Sequence, residues 1–304
     1  MSERKILFGF RVPVEVGAVA EVLRCAALAD RARLDLFATS DHPYYGDHLE
    51  AYATLGFILG RTTTIAGVTT VTNTPTRSAP LLARTLTSLS ALSDGRVVYG
   101  VGAGGVWDDI TSFGAPRLSP SAAVRAMEES IHLVRALSGG GEPVTFDGEF
   151  YKISGITPAP VPAPPVWTGS VGPKSLAVTG RLADGWVPGR ASDWLSERYR
   201  ASRPLIDEAA AAAGRDPSEI ATIYYVQGHI TDTPRSVTRD DAGRWVGGSV
   251  GQWVESLTGA VLEHGASGFI LFPPGGASLE GTLRRWAEEI VPAVREAVEK
   301  PSGR

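Results

Sequence analysis

The chain has 304 residues, of which 43% are hydrophobic and 20% charged, enough apolar material for one large barrel or for two ordinary domains. Its formal net charge of −4 argues against an electrostatic nucleic-acid binder, which carries a basic face. A single cysteine, Cys25, excludes an internal disulfide, and no run approaches the ~18 apolar residues of a membrane span or forms a signal peptide. The expectation is a cytoplasmic protein with neither a membrane nor a nucleic-acid partner.

Strand-like and helix-like periods alternate along the chain. Lys5–Phe10 predicts a first strand and Val16–Ala32 a first helix. Leu34–Thr39 predicts a strand ending in Ser40-Asp41-His42-Pro43, followed by a helix over Ala51–Leu59. Thr63–Val71 reads as the third strand, Ser78–Leu92 as the third helix and Asp94-Gly95 as its stop signal. Arg96–Val101 is a fourth strand ending in glycines, and Ala122–Leu137 a fourth helix. The pattern breaks over 138–165, where Asp147-Gly148 predicts a two-residue hairpin turn within Val144–Ile153. It resumes with strand Val166–Thr168, helix Lys174–Leu182, strand Gly185–Val187 and a helix over Trp194–Ala213. A β-rich run Ala221–Ile230, an irregular insertion over 231–248, a helix Trp253–His264, strand Phe269–Phe272 and helix Leu279–Ala297 complete the chain.

About eight strands, nearly all followed by helices and apolar on both faces, predict one (β/α)₈ TIM barrel spanning 1–304, with insertions after strands 4 and 7. The alternative is an open doubly wound sheet with a small second domain, split near Gly139–Gly141.

A barrel places its chemistry on the loops after the strands. His42 stands there beside Asp41, where a carboxylate can hold an imidazole in one tautomer near neutral pH. His229, at the end of the seventh strand, is a second candidate facing the pocket. Gly102-Ala103-Gly104-Gly105 would let backbone approach a flat ligand. The loop from Ser170 through Val171 into Gly172-Pro173-Lys174 opens a helix whose free N–H groups suit a phosphate. Paired cysteines, an HExxH run and a Gly-x-Ser-x-Gly elbow are all missing, so neither a metal site nor a serine nucleophile is expected.

These pieces resemble the bacterial luciferase-like superfamily of flavin and deazaflavin oxidoreductases. The resemblance rests on Ser40-Asp41-His42-Pro43, the block from Val68 to Gly105, Gly169–Gly189, and the late helix followed by GFILF. It implies a barrel binding the 5-deazaflavin coenzyme F420, or FMN, at its strand ends. It further implies a non-prolyl cis peptide at Thr70–Val71 against the ring, with Asp41, His42, Asn73 and Arg77 matching the family's polar positions. Val171, Gly172, Pro173 and Lys174 match its phosphate loop. One departure stands out: Gly105 occupies the place where some relatives carry a glutamate proton donor. That role then falls to Asp108, to His42 or to water. Trp107 and Phe113 are candidates to wall the substrate pocket. The implied chemistry is hydride transfer to or from a small enone, imine, quinone or alcohol. The alternatives are an FMNH2-dependent monooxygenase served by a partner flavin reductase, and a barrel that binds flavin without catalysis. The same resemblance implies a homodimer meeting through helices 2 and 3.

Overall fold

The computed structural model describes residues 5–11, 14–191, 193–275 and 278–299. The strands that form its barrel are β1 (Leu7–Arg11), β2 (Leu36–Thr39), β3 (Ala66–Thr69), β4 (Val97–Gly102), β5 (Val166–Thr168), β6 (Gly185–Trp186), β7 (Ala221–Gln227) and β8 (Gly268–Phe272). Each pairs in parallel with the next, and β8 returns to β1 through Leu7 opposite Gly268, so the sheet closes on itself. Strands on both sides of Gly139–Gly141 belong to this one barrel, which removes the open two-part sheet.

The two-residue period of the strands sorts the core into an inner and an outer layer. Leu36, Ala38, Val68, Val98, Trp167, Ile223, Tyr225 and Ile270 fill the interior. Their chain neighbours Phe37, Val97, Tyr99, Tyr224, Val226, Phe269 and Leu271 face outward and pack under the helices. Closure between β3 and β4 requires a glycine: a Cβ on Gly100 would lie 1.7 Å from the Thr69 carbonyl oxygen.

The outer ring consists of α1 (Val19–Arg31), α2 (Ala51–Leu59), α3 (Ala79–Leu92), α4 (Trp107–Ser112), α5 (Pro120–Ala136), α6 (Pro173–Leu182), α7 (Glu197–Ala212), α8 (Val250–His264), α9 (Leu279–Arg285) and α10 (Val291–Glu299). None among the described residues is long and apolar enough to cross a membrane. Three departures from the sequence pattern are local, and two of them have a visible cause. Helix α8 begins at Val250, three residues before the apolar period, because Ser249 and Gln252 form a capping box. The hairpin pairs Asp147 with Lys152, so four residues turn instead of two. The Glu129 carboxylate on α5 accepts the N–H groups of Glu149, Phe150 and Tyr151 at 2.7, 2.9 and 3.2 Å and holds that wider turn open. The closing helix is interrupted by a π-helical segment, Trp286–Ile290.

Candidate active site

At the C-terminal end of the barrel the inward positions turn mostly polar. Two residues beyond Gly9, Ala38, Val68, Tyr225 and Ile270 stand Arg11, Ser40, Thr70, Gln227 and Phe272. Together with His42, Arg190 and Tyr225 they line a cavity of about 440 Å³. The fold thus collects side chains from β1, β2, β3, β6, β7 and β8 at one mouth, the face where barrels carry their chemistry.

Asp41 is buried, and its carboxylate is fully engaged. Arg77 Nε donates to Oδ2 at 2.7 Å, Arg77 Nη2 to Oδ1 at 2.5 Å, and the Asn73 backbone N–H to Oδ2 at 2.9 Å. It does not orient His42, contrary to the sequence expectation; it clamps the loop after β3 to the loop after β2. The His42 partner is Tyr44, whose hydroxyl lies 2.7 Å from Nδ1. Asn73 Nδ2 donates to the same phenolic oxygen at 3.4 Å. Burial, followed by the charges of Tyr45 and Asp109, pushes the Tyr44 phenol up to about 12, so it keeps its proton. A phenol that donates to Nδ1 sets the imidazole hydrogen on Nε2. Burial and the nearby Arg11 charge push the imidazole below its usual range, which keeps it neutral.

The Thr70–Val71 peptide is cis. Beneath it runs a buried chain of hydroxyls: Tyr52 to Thr72 at 2.6 Å, Thr72 to Thr69 at 2.8 Å, and Thr69 to the Gly100 carbonyl at 2.9 Å. The Tyr225 hydroxyl donates to Thr70 Oγ1 from across the barrel. The Val71 side chain fits where two glycines leave room, since Cβ atoms on Gly102 and Gly169 would lie 2.5 and 3.0 Å from its methyls. Ala103 is half-buried behind this ledge, Gly104 and Gly105 are exposed, and Gly104 takes a positive φ of 94° against Pro75. Asn73 Oδ1 is buried without a hydrogen-bond partner among the described residues.

Several predicted residues turn elsewhere. The Asp108 side chain is 94% exposed and pairs with Arg117, so it is not in the cavity. One residue further round α4, Asp109 accepts from the Tyr45 hydroxyl at 3.0 Å and faces the aromatic loop instead. Trp107 is half-buried, whereas Phe113 is exposed and walls nothing. His229 is exposed too, and its carbonyl accepts Trp253 Nε1 at 3.2 Å. The Ser170 hydroxyl is buried and donates to the Ser175 carbonyl at 2.9 Å, so Ser170 shapes the loop and offers no free hydroxyl. Val171, Pro173 and Lys174 are exposed and Gly172 half-buried at the N-terminus of α6, with Lys174 Nζ 3.1 Å from Ser121 Oγ. Arg11, Tyr44, Asp109 and Tyr225 were not singled out from the sequence. For Arg11 the signal exists, a charge at the next inward position of an otherwise apolar strand.

A family model described as luciferase-like monooxygenase matches residues 5–266. The chain belongs to that family. This luciferase-like protein is 30% identical over 208 residues to the 5,10-methylenetetrahydromethanopterin reductase of Methanolobus tindarius, covering 68% of this chain and 60% of the reductase. It is 28% identical over 255 residues to an F420-dependent glucose-6-phosphate dehydrogenase of Nakamurella multipartita, covering 81% of this chain and 74% of that protein. Its barrel superposes with a TM-score of 0.80 at 20% identity on an F420-dependent secondary alcohol dehydrogenase in complex with an F420-acetone adduct, covering 96% and 99% of the two chains. A riboflavin lyase with modified FMN gives a TM-score of 0.82 at 14% identity, covering 99% and 93%. The structural likenesses establish the shared barrel.

Proposed function

We propose that this luciferase-like chain is an F420-dependent oxidoreductase that moves a hydride to or from a small organic substrate. The observation that carries the reading is the ledge that the Val71 side chain forms on Gly102 and Gly169, at the mouth lined by His42 and Thr70, in a chain related to an F420-dependent dehydrogenase. The residues fit a flat ring with an anionic tail. Gly102, Ala103, Gly104 and Gly105 present backbone without bulk, and Asn73 Oδ1 is a buried acceptor in need of a donor. Gly172, Pro173 and Lys174 open α6, whose positive end suits a phosphate.

When bound, the coenzyme supplies a ring carbon that gives or takes a hydride. The protein binds, orients and polarises. Val71 and the glycine loop would back the ring, and Lys174 would hold the tail. His42 presents a neutral Nε2–H to the cavity, a donor for a substrate oxygen that gains charge during reduction. Tyr44 fixes that tautomer, and Asp41 with Arg77 fixes the loop that carries it. With Gly105 where the family resemblance places an acid in some members, and Asp108 turned to solvent, the last proton comes from water.

The test is a fluorescence titration of F420 against FMN, followed by oxidation of reduced F420 on a panel of enones, imines, quinones and alcohols. F420 binding with substrate-dependent turnover is expected. A second reading, an FMNH2-dependent monooxygenase with a partner reductase, is favoured by the family's own description. It takes over if FMNH2 drives oxygen uptake and reduced F420 gives no turnover. Homodimerisation belongs to the same proposal: Phe57 on α2 and Leu81 on α3 are exposed, as an interface of these helices requires. A monomer by light scattering at micromolar concentration removes it.

A further inference from the structure

We propose that Arg11 is an anion receptor inside the barrel mouth and that the substrate of this site carries a carboxylate or phosphate that docks on it. The inference rests on the oxidoreductase reading for the word substrate, but its evidence is independent. Strand β1 points Leu7, Gly9 and Arg11 inward and Phe8 and Phe10 outward. Gly9 leaves no side chain below Arg11, because a Cβ there would lie 2.8 Å from Leu36 Cβ.

A guanidinium has five N–H donors. The Arg11 side chain makes one hydrogen bond among the described residues, from Nη2 to Ser40 Oγ at 2.9 Å, and stacks 4.4 Å from the Phe272 ring centroid. It forms no ion pair with any described carboxylate, although Glu15 acts on it at longer range. Arg77 differs sharply, being paired with both Asp41 and Glu50. Arg96 differs also, with its donors spread over the carbonyls of Leu59, Thr62, Ile65 and Ser93. Charges taken out of water are ordinarily paired. Arg11 has one side-chain hydrogen bond and no ion pair among the described residues, and it stands between this cavity and a neighbouring one of about 420 Å³ that Glu15 and Glu21 line.

The rest of the cavity agrees. Its ten lining residues include two arginines and a histidine and no carboxylate. Arg190, from the loop after β6, has no ion pair among the described residues, and the Gln227 amide makes no hydrogen bond there. This anion site is distinct from the coenzyme's proposed tail site. Strands β1 and β5 are four places apart in the closed ring of eight, so Arg11 and Lys174 stand on opposite sides of the mouth. An anion on Arg11 would place the rest of a small substrate across the cavity towards His42 and Thr70.

The test uses the full-length chain, its Arg11→Met and Arg11→Lys variants, and Lys174→Ala as a control. Calorimetric titration with benzoate and with inorganic phosphate reads the subsite without turnover, and F420 is titrated separately. For Arg11→Met we expect roughly tenfold to hundredfold weaker binding of the preferred anion, an intermediate loss for Arg11→Lys, and unchanged F420 affinity. Lys174→Ala should give the reverse pattern. Which of benzoate and phosphate binds wild type more tightly names the substrate's anion. Anion binding that is unchanged in Arg11→Met overturns the proposal, as does an equal loss of F420 affinity. So does a lowered thermal midpoint with anion affinity intact, which would make Arg11 structural. If wild type ignores F420 yet binds benzoate or phosphate through Arg11, the subsite stands and the coenzyme assignment falls.

Discussion

Arg77 grips Asp41 with two bonds, Nε to Oδ2 at 2.7 Å and Nη2 to Oδ1 at 2.5 Å, and reaches on to Glu50 at 2.5 Å. The Asp41 side chain is only 1% exposed, so Arg77 stands in for the water that the carboxylate lacks. Removing one member of such a pair strands the other in low dielectric. Arg77→Met should cost about 3–5 kcal/mol of stability, read as a lower urea midpoint. A loss below about 1 kcal/mol would mean that water reaches Asp41.

Tyr44 is expected to act through His42 without touching the substrate. Tyr44→Phe removes the donor to Nδ1 and lets the imidazole hydrogen move there. The expected result is a fall in kcat of about tenfold, the value of one hydrogen bond, with KM little changed. Nitrogen NMR of His42 should show the Nε2–H tautomer in wild type and a mixture in the variant. A wild-type ring protonated on Nδ1 would refute the assignment.

Gly102→Ala should damage the ledge directly, because the new methyl would meet the Val71 side chain at 2.5 Å. Overpacking of this kind costs about 1–3 kcal/mol. F420 affinity should fall with it, whereas Gly105→Ala, with open space around its Cβ position, should leave stability nearly unchanged. Equal effects at the two glycines would argue against a ledge at Val71.

Acid stability should depend on Asp30. Burial tends to raise its carboxyl, but the N–H groups of Ile65, Thr63 and Thr64 and the Thr64 hydroxyl outweigh that and hold it well below the usual range. A depressed folded value means that the stabilisation is complete above the unfolded value of about 3.9 and is lost as pH falls through it towards the folded value. Wild type should therefore lose urea stability between about pH 5 and pH 2.5 more steeply than Asp30→Asn. Parallel curves would show that these bonds do not favour the charged form.

The barrel was legible because periodicity is local: β2, α2, α3, β4 and β5 lie within a residue or two of where the apolar spacing puts them. The site was legible as a set of loops: His42 and Thr70 line one cavity, and Val71 packs where Gly102 and Gly169 leave room. Its wiring was not. Asp108 and Asp109 are neighbours in sequence, but a helical turn sends one to solvent and Arg117 and the other to Tyr45. A loop reading cannot tell them apart, since α4 is too short to show a period.

Sequence alone determined the alternation of strands and helices, the glycines where backbones must approach, and the residues available at the strand ends. Tertiary structure decided who partners whom. Asp41 stands next to His42 in the chain and yet pairs with Arg77, 36 residues away, leaving the imidazole to Tyr44. Barrel closure turns Arg11 inward beside Ser40 and Phe272 with no carboxylate in the cavity. The physical reason is one of range. Period and propensity act over a few residues, whereas the pairing of a buried charge depends on what the closed barrel brings within a few ångströms of it.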